Sequence, residues 1–442
     1  MAFDRKLTLT RSEIAFQGWR SASRLARRSL LEAWLPGYRA AADALTLLIT
    51  QETGKPITLA KGEVQRGEAT FQATLEAIAT FGEEAIPYDL MAGAEGCRAT
   101  LRRFPRGPVL AITPFNFPVN LALHKLAPAL GAGCSVIWKP CPQAPRLAAH
   151  LFELFEAARA EVDAPEYLLQ MAQVEPAVAE ALALDPRCAV VSFTGSERVG
   201  LHLKSILGGK PLTLELGGNG AVILDAGIDA ASAARQLAPA AVAGAGQSCC
   251  KAQRFYVHQD LWETFVPAFV QAVAALPVGD PLDPAVVVGP LIDEATAIRM
   301  DATLDAAVGM GARVLLRGPR QGRLLPPALL THLVEGDLLV CEEAFSPVCV
   351  LVPVASFVEG LQKASATRFG LRASAYSRDA AHLQQAANQL RAGGVLLNLP
   401  PTFRLDGAPF GGLAHSGQGL EGPRWAMEAC TEARLIVEGP AH

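Results

Sequence analysis

The 442-residue chain is half hydrophobic and only 19% charged, enough apolar material for two or three packed cores. Its formal net charge of −4 leaves no basic field for nucleic acid. No apolar run approaches the roughly 18 residues that a membrane span requires, so no membrane partner is expected.

Nine cysteines, at 97, 134, 141, 188, 249, 250, 341, 349 and 430, form no C-x-x-C pair. That argues against a disulfide framework and against a zinc or other metal site. The opening Met-Ala-Phe-Asp-Arg-Lys lacks the apolar core of a signal peptide. A soluble, cytoplasmic protein is expected.

From residue 10 to about 82 the pattern is helical, punctuated by Pro36, Gly54-Lys-Pro and Pro87. Residues 96–105 are extended and strongly basic. Short strand-like runs then alternate with helical patterns. The strands are expected at 109–113, 135–139, 167–171, 189–193 and 212–216, the helices near 118–130, 144–160, 175–184 and 196–207. This alternation predicts an α/β fold with a mainly parallel sheet covered on both faces. Ligands bind beyond the carboxyl ends of such strands. A second unit places strands near 220–224, 253–258, 313–317, 348–354, 373–377 and 394–399, with helices near 229–245, 261–276, 293–309 and 378–392. Glu215-Leu-Gly-Gly-Asn-Gly220 marks the boundary between the units, and residues 432–437 read as a final strand.

Chemically unusual residues gather at the element junctions. Asn116, in the stiff turn Thr113-Pro-Phe-Asn-Phe-Pro118, can donate to an oxygen gaining charge or simply cap the next helix; position alone favours the cap. Lys139 ends a strand before Pro140 and can reach a ligand hydroxyl or phosphate, or lie in solvent. Phe193-Thr-Gly-Ser196 leaves backbone N–H groups for a phosphate, or makes an ordinary helix cap. No G-x-G-x-x-G follows any strand, so the usual dinucleotide fingerprint is missing. Glu215, between leucines, is a candidate general base with a raised pKa, or one half of an ion pair. Gly244-Ala-Gly-Gln-Ser-Cys-Cys250 offers two thiols in a stretch open to close approach; such a stretch is more often a turn before buried cysteines. Together the groups fit a mechanism in which Cys249 attacks a carbonyl, Asn116 stabilises the oxyanion and Glu215 activates water.

These motifs, with Trp138-Lys-Pro, Leu214-Glu-Leu-Gly-Gly, Glu342-Glu-Ala-Phe-Ser-Pro347, Pro409-Phe-Gly-Gly412 and Ser416-Gly417, resemble those of the aldehyde dehydrogenase superfamily. The intervals agree too: 99 residues from Asn116 to Glu215 and 34 from Glu215 to Cys249. The resemblance implies a Cys249 nucleophile, an oxyanion site at Asn116 and the Cys249 N–H, and Glu215 as the deacylation base. Lys139 counts both among the catalytic positions and among the cofactor contacts. It implies NAD or NADP held by Ile112, Thr113, Pro114, Phe115, Lys139, Ser196, Val199, Leu216, Gly217, Glu343 and Phe345. The Gly246-Gln-x-Cys249 pattern singles out Cys249 and leaves Cys250 without a role.

The family fold implies a Rossmann-like cofactor domain over 1–87 and 106–217 and an α/β catalytic domain over 218–425. A small β oligomerisation arm would comprise 88–105 and 426–442, and a homodimer or homotetramer is usual. Pro142 stands where NAD-preferring relatives often carry a glutamate, so NADP is equally open; Leu168-Leu-Gln-Met-Ala-Gln173 lacks the usual glycines. The stretches around Phe104, Asn116 and Pro401-Thr-Phe-Arg-Leu-Asp406 resemble the branch containing lactaldehyde and phosphonoacetaldehyde dehydrogenases. That branch implies a small hydroxylated or anionic aldehyde met by His124 and Arg404, although His124 packed in its helix and Arg404 paired with Asp406 is the plainer reading. The rival expectations are a CoA-acylating relative, in which thiolysis replaces hydrolysis, and a binding or scaffold protein.

Overall fold

Two sheets divide the chain as the alternation predicts. The computed structural model describes residues 3–334 and 336–440. Helices Arg5–Trp19, Arg24–Ala40, Ala42–Thr53 and Ile57–Thr80 come first. Pro36 does not punctuate them: it lies inside Arg24–Ala40, and the break comes at Ala41 instead. The second and fourth of these helices bury Trp34, Tyr38 and Phe71, with Phe155, in one aromatic cluster.

A six-stranded sheet runs Gly417–Gln418, Leu212–Glu215, Val190–Thr194, Val109–Ile112, Val136–Lys139, Leu169–Met171. Every pairing is parallel except that of the short first strand with Leu212–Glu215. Val109–Ile112 has neighbours that leave in opposite directions, which opens a crevice at its carboxyl end, where Thr113–Pro118 begins. A seven-stranded sheet runs Arg313–Leu316, Ala328–Thr331, Val348–Val354, Ala252–His258, Gly220–Leu224, Arg372–Tyr376, Gly394–Leu397.

A three-stranded antiparallel sheet joins Glu83–Ile86, Arg98–Pro105 and Thr431–Glu438. The divisions drawn from the sequence shift at two places. Glu83–Ile86, expected in the first unit, pairs with the basic strand; Leu413–Ala414 pair with Phe369–Gly370, whereas Gly417–Gln418, expected in the second unit, and Pro423–Ala429, expected across the second unit and the arm, lie against the first. There Gly417 pairs opposite Glu215, and the helix Pro423–Ala429 packs on Asn120–Gly131 and Ile57–Thr80. No described helix is long and apolar enough to cross a membrane.

Between the sheets, the helix Ala230–Val242 gives way to a single 3-10 turn, Ala243–Gly246. Gly244, Ala245 and Gly246 all take positive φ, at 60°, 57° and 64°. A Cβ on Gly246 would lie 2.2 Å from the Ser346 carbonyl oxygen, so the turn can press on Ser346-Pro347 only with glycine there. Gly246→Ala is expected to cost about 1–3 kcal/mol from backbone strain alone, with further loss from the collision. Chemical denaturation measures it, and unchanged stability would contradict the close approach.

Candidate active site

Cys249 and Cys250 follow this turn, and the turn of Thr113–Pro118 meets it from the other sheet. Asn116, 7% exposed, donates from Nδ2 to the Gln247 carbonyl at 3.1 Å, and Gln247 Oε1 accepts from the Ile292 N–H at 2.9 Å. An amide nitrogen has two hydrogens, so Asn116 keeps one for an incoming oxygen. Asn116, Glu215, Cys249, Cys250 and Arg404 all line one cavity of about 510 Å³ between the sheets.

Glu215 ends its strand at 3% exposure, and neither carboxylate oxygen has a hydrogen-bond partner. Burial raises its pKa well above the ordinary value; the Glu421 carboxylate adds repulsion, while Lys125, Arg404 and Arg372 work the other way. Glu421 itself is ion-paired with Lys125 and accepts from Thr194 Oγ1 at 3.3 Å. Lys125 also donates to Ser192 Oγ at 3.0 Å. The chain thus puts an ion pair beside a carboxyl whose proton affinity burial has raised.

Cys250 beside Cys249, with burial adding to its effect, holds the Cys249 thiol well up, and Cys249 in turn draws Cys250 down to about 6, aided by Ser248 and by the Arg404 and Arg372 guanidiniums. Taking the proton from Cys249 therefore requires a base.

Beyond the thiols the cavity wall is cationic. Lys55 is ion-paired with Glu63, and its Nζ stands 3.8 Å from the Phe117 ring centroid. Arg66 grips Asp406 with two hydrogen bonds, of 3.0 and 2.8 Å. Arg404, with a side chain only 9% exposed, lies 3.8 Å from the Asp406 carboxylate that Arg66 already occupies, and its Nε has no partner. Its guanidinium stacks 4.0 Å from the Phe410 ring centroid, with Arg372 4.7 Å from the same ring.

His124 is placed differently from the expectation that it faces a substrate. It is fully buried on a helix buried all round, and it does not line the cavity. Its Nε2 lies 3.0 Å from Asp406 Oδ1, 3.3 Å from Thr70 Oγ1 and 3.2 Å from Arg404 Nη2. Burial, then Arg404, pushes its pKa down to about 4, so the ring is neutral and braces Arg404 from behind. Arg404 itself meets both expectations, facing the cavity while approaching Asp406.

The remaining candidates fall along the carboxyl ends of the first sheet. Phe115 and Leu216 reach the cavity, whereas Lys139, Ser196, Val199, Glu343 and Phe345 lie outside its walls. Lys139 Nζ has a single acceptor, the Pro140 carbonyl at 3.3 Å, and burial lowers its pKa. Ser196 caps Glu197–Leu207 without using its side chain, which leaves the hydroxyl and the first-turn N–H groups open to an anion. Val199 is exposed on the next turn. Glu343 accepts from the Gly218 N–H at 2.9 Å and occupies the space that a Cβ on Gly217 would fill. Burial raises its pKa to about 7. Phe345 meets Phe115 edge-on at 6.0 Å. Ile112 and Pro114 flank Thr113, whose hydroxyl accepts from Trp138 Nε1 at 3.0 Å. Among the described residues no cluster of metal-ligating side chains occurs. Sequence reasoning missed Lys55, Arg66, Lys125 and Glu421; nothing near them in the chain marks a site.

The family model described as "Aldehyde dehydrogenase family" matches residues 4–436, and the chain belongs to that family. It is therefore built as an oxidoreductase of the aldehyde group. It is 36% identical over 392 residues to the 3-sulfolactaldehyde dehydrogenase of Priestia megaterium, covering 88% of this chain and 81% of that one. It is 31% identical over 440 residues to a lactaldehyde dehydrogenase of Methanococcus maripaludis, covering 99% and 93%. Its structure matches the glyceraldehyde-3-phosphate dehydrogenase of Methanocaldococcus jannaschii, complexed with NADP, at a TM-score of 0.94 and 30% identity, covering 100% and 96%.

Because Glu421 repels charge on Glu215, Glu421→Gln is expected to lower the Glu215 pKa. The acid limb of kcat for aldehyde oxidation should move to lower pH. A limb that stays in place would contradict the coupling.

Proposed function

We propose that the protein oxidises a small anionic aldehyde to its carboxylic acid with NAD or NADP. The observation that carries this reading is one cavity lined both by Cys249, Asn116 and Glu215 and by Arg404, Arg66 and Lys55. The names of the sulfolactaldehyde and glyceraldehyde-3-phosphate relatives, each of an anionic aldehyde, agree with that wall.

Lys139 and Glu343 hold ribose hydroxyls, Ser196 and the helix it caps hold the pyrophosphate, and Ile112 to Phe115, Val199, Leu216, Gly217 and Phe345 complete the cofactor cleft. The free Ser196 hydroxyl, the under-used Lys139 amine and the Gly217–Glu343 contact fit such a group. No acidic residue occupies position 142 to repel a 2′-phosphate, so both cofactors remain compatible. When bound, the nicotinamide accepts hydride from the carbon attached to Cys249.

Cys249 Sγ adds to the carbonyl carbon as a thiolate, its proton passing to water in the cavity. The oxyanion takes the spare hydrogen of Asn116 Nδ2 and the Cys249 N–H. After hydride loss the acyl group is a thioester on Cys249. Glu215 then removes a proton from water, the hydroxide adds to the acyl carbon, and the Cys249 thiolate leaves with release of the acid. Glu215 can serve because burial raises its proton affinity above that of an ordinary carboxylate. Arg404 meets the substrate's anionic end, since Arg66 and Lys55 already hold their own carboxylates.

In domain terms, the first unit carries the cofactor and the second the nucleophile. The three-stranded sheet forms a homodimer or homotetramer through Thr431–Glu438, an edge strand with Leu435 and Val437 exposed. The described cysteines are free, which suits the reducing cytoplasm.

The test is a panel of short aldehydes with NAD and NADP, with and without CoA. Cofactor reduction without CoA, abolished in Cys249→Ala, is expected; turnover that requires CoA would contradict hydrolysis. Arg404→Gln should raise KM for sulfonate, phosphate or carboxylate aldehydes by about 10- to 100-fold, the worth of one charged hydrogen bond. KM for propanal should barely change; equal effects on both would remove Arg404 from anion recognition.

A further inference from the structure

We infer that the cleft between the three-stranded sheet and the first helices binds a small multivalent oxyanion, of the diphosphate or tricarboxylate class. The cleft has a volume of about 280 Å³, and its walls carry Arg24, Arg27, Arg102 and Arg103 with one carboxylate, Glu83.

That carboxylate does not balance the four cations. Glu83 approaches Arg102 Nε at 3.6 Å, beyond hydrogen-bond length. Arg27 donates only to backbone carbonyls, Nη1 to Ala132 at 3.0 Å and Nη2 to Arg20 at 2.9 Å, and its Nε has no partner. Arg103 likewise reaches only the Glu428 carbonyl, at 3.5 Å, over the face of Phe81. Arg24 is exposed at the rim. Of the other acidic side chains, Glu428 pairs with Arg424, Glu432 with Arg434 and Glu32 with Arg28, while Glu84, the neighbour of Glu83 on its strand, pairs opposite Leu101 and lines a different cleft. Burial lowers the Arg27 pKa and Arg24 repels it further.

Four guanidiniums in a concave wall repel one another, and the wall's low dielectric lengthens the reach of that repulsion. An anion with several oxygens relieves it, and the planar fork of arginine matches phosphoryl and carboxylate groups alike. A single monovalent ion would leave most of the charge uncompensated. The site is separate from the catalytic cavity. Gly131 and Ala132, in the cleft wall, stand at one end of the helix Asn120–Gly131, and Asn120, in the cavity wall, stands about 18 Å away at the other.

Isothermal titration calorimetry tests this with inorganic pyrophosphate and with citrate, on full-length protein saturated with cofactor so that the dinucleotide cleft is closed. Sub-millimolar binding of at least one anion is expected, weakened about 10-fold in Arg24→Gln and in Arg27→Gln. Arg24→Gln lies at the rim and should leave aldehyde oxidation intact, so its loss of binding cannot be ascribed to misfolding. Pyrophosphate alone binding would mark a phosphoryl ligand, and citrate alone a carboxylate ligand. No binding to the unaltered protein, as when a second copy's acidic residues fill the cleft, overturns the inference. So does binding that both variants retain.

Discussion

A carboxyl group buried with no hydrogen-bond partner on either oxygen is the constraint on which the site depends. An ionised Glu215 without partners would cost several kcal/mol, which raises its proton affinity well above that of an ordinary carboxylate. The surroundings sharpen this. Glu421 is held ionised by Lys125 close by, and its charge opposes a second one on Glu215. Two carboxyls at the end of one sheet are thereby pushed apart in proton affinity. One becomes a fixed charge and the other a proton acceptor that works only when a proton must move. The strand pairing of Gly417 opposite Glu215 ties Gly417–Gln418 to the first sheet beside this carboxyl.

The same logic runs through the thiols and the cationic wall. Cys249 holds its proton against Cys250, so its reactivity is released on demand rather than standing open to every electrophile. Asp406 gathers Arg66, Asn120 and His124, and burial opposes its charge, yet the hydrogen bonds from His124 and Arg66 hold its carboxyl well below the usual range. With Asp406 committed and His124 neutral, the charge of Arg404 is left for a ligand. A cavity polar at one end and reactive at the other orients an anionic aldehyde by its tail.

Much of the fold was legible because the five parallel strands of the first sheet are short apolar runs whose observed ends differ from the expected ones by a residue or two, whereas the polar pair Gly417–Gln418 went unread. The helix Phe357–Ser365 went unread although its signal was there: Ser356 Oγ accepts from the Glu359 N–H, and Glu359 reaches back to the Ala355 N–H. Ala328–Thr331 was passed over because four residues after paired prolines carry too little pattern. In the site, Cys249, Asn116 and Glu215 were legible as junction residues in recognisable motifs. His124 was not, because Asn120–Gly131 is buried on every face and helical spacing cannot say which side meets the cavity. The cationic wall was least legible, since Arg66 and Asp406 meet across 340 residues and neither has a local signature.

The central claim is that Glu215 is the base that releases the acyl group from Cys249. Rapid mixing of Glu215→Gln with aldehyde and cofactor tests it most directly, with reduced cofactor followed by absorbance. A stoichiometric burst followed by a steady rate at least about 100-fold below that of the unaltered protein is the outcome predicted from loss of general base catalysis. Loss of burst and steady turnover together, or a steady rate that persists, would contradict the account.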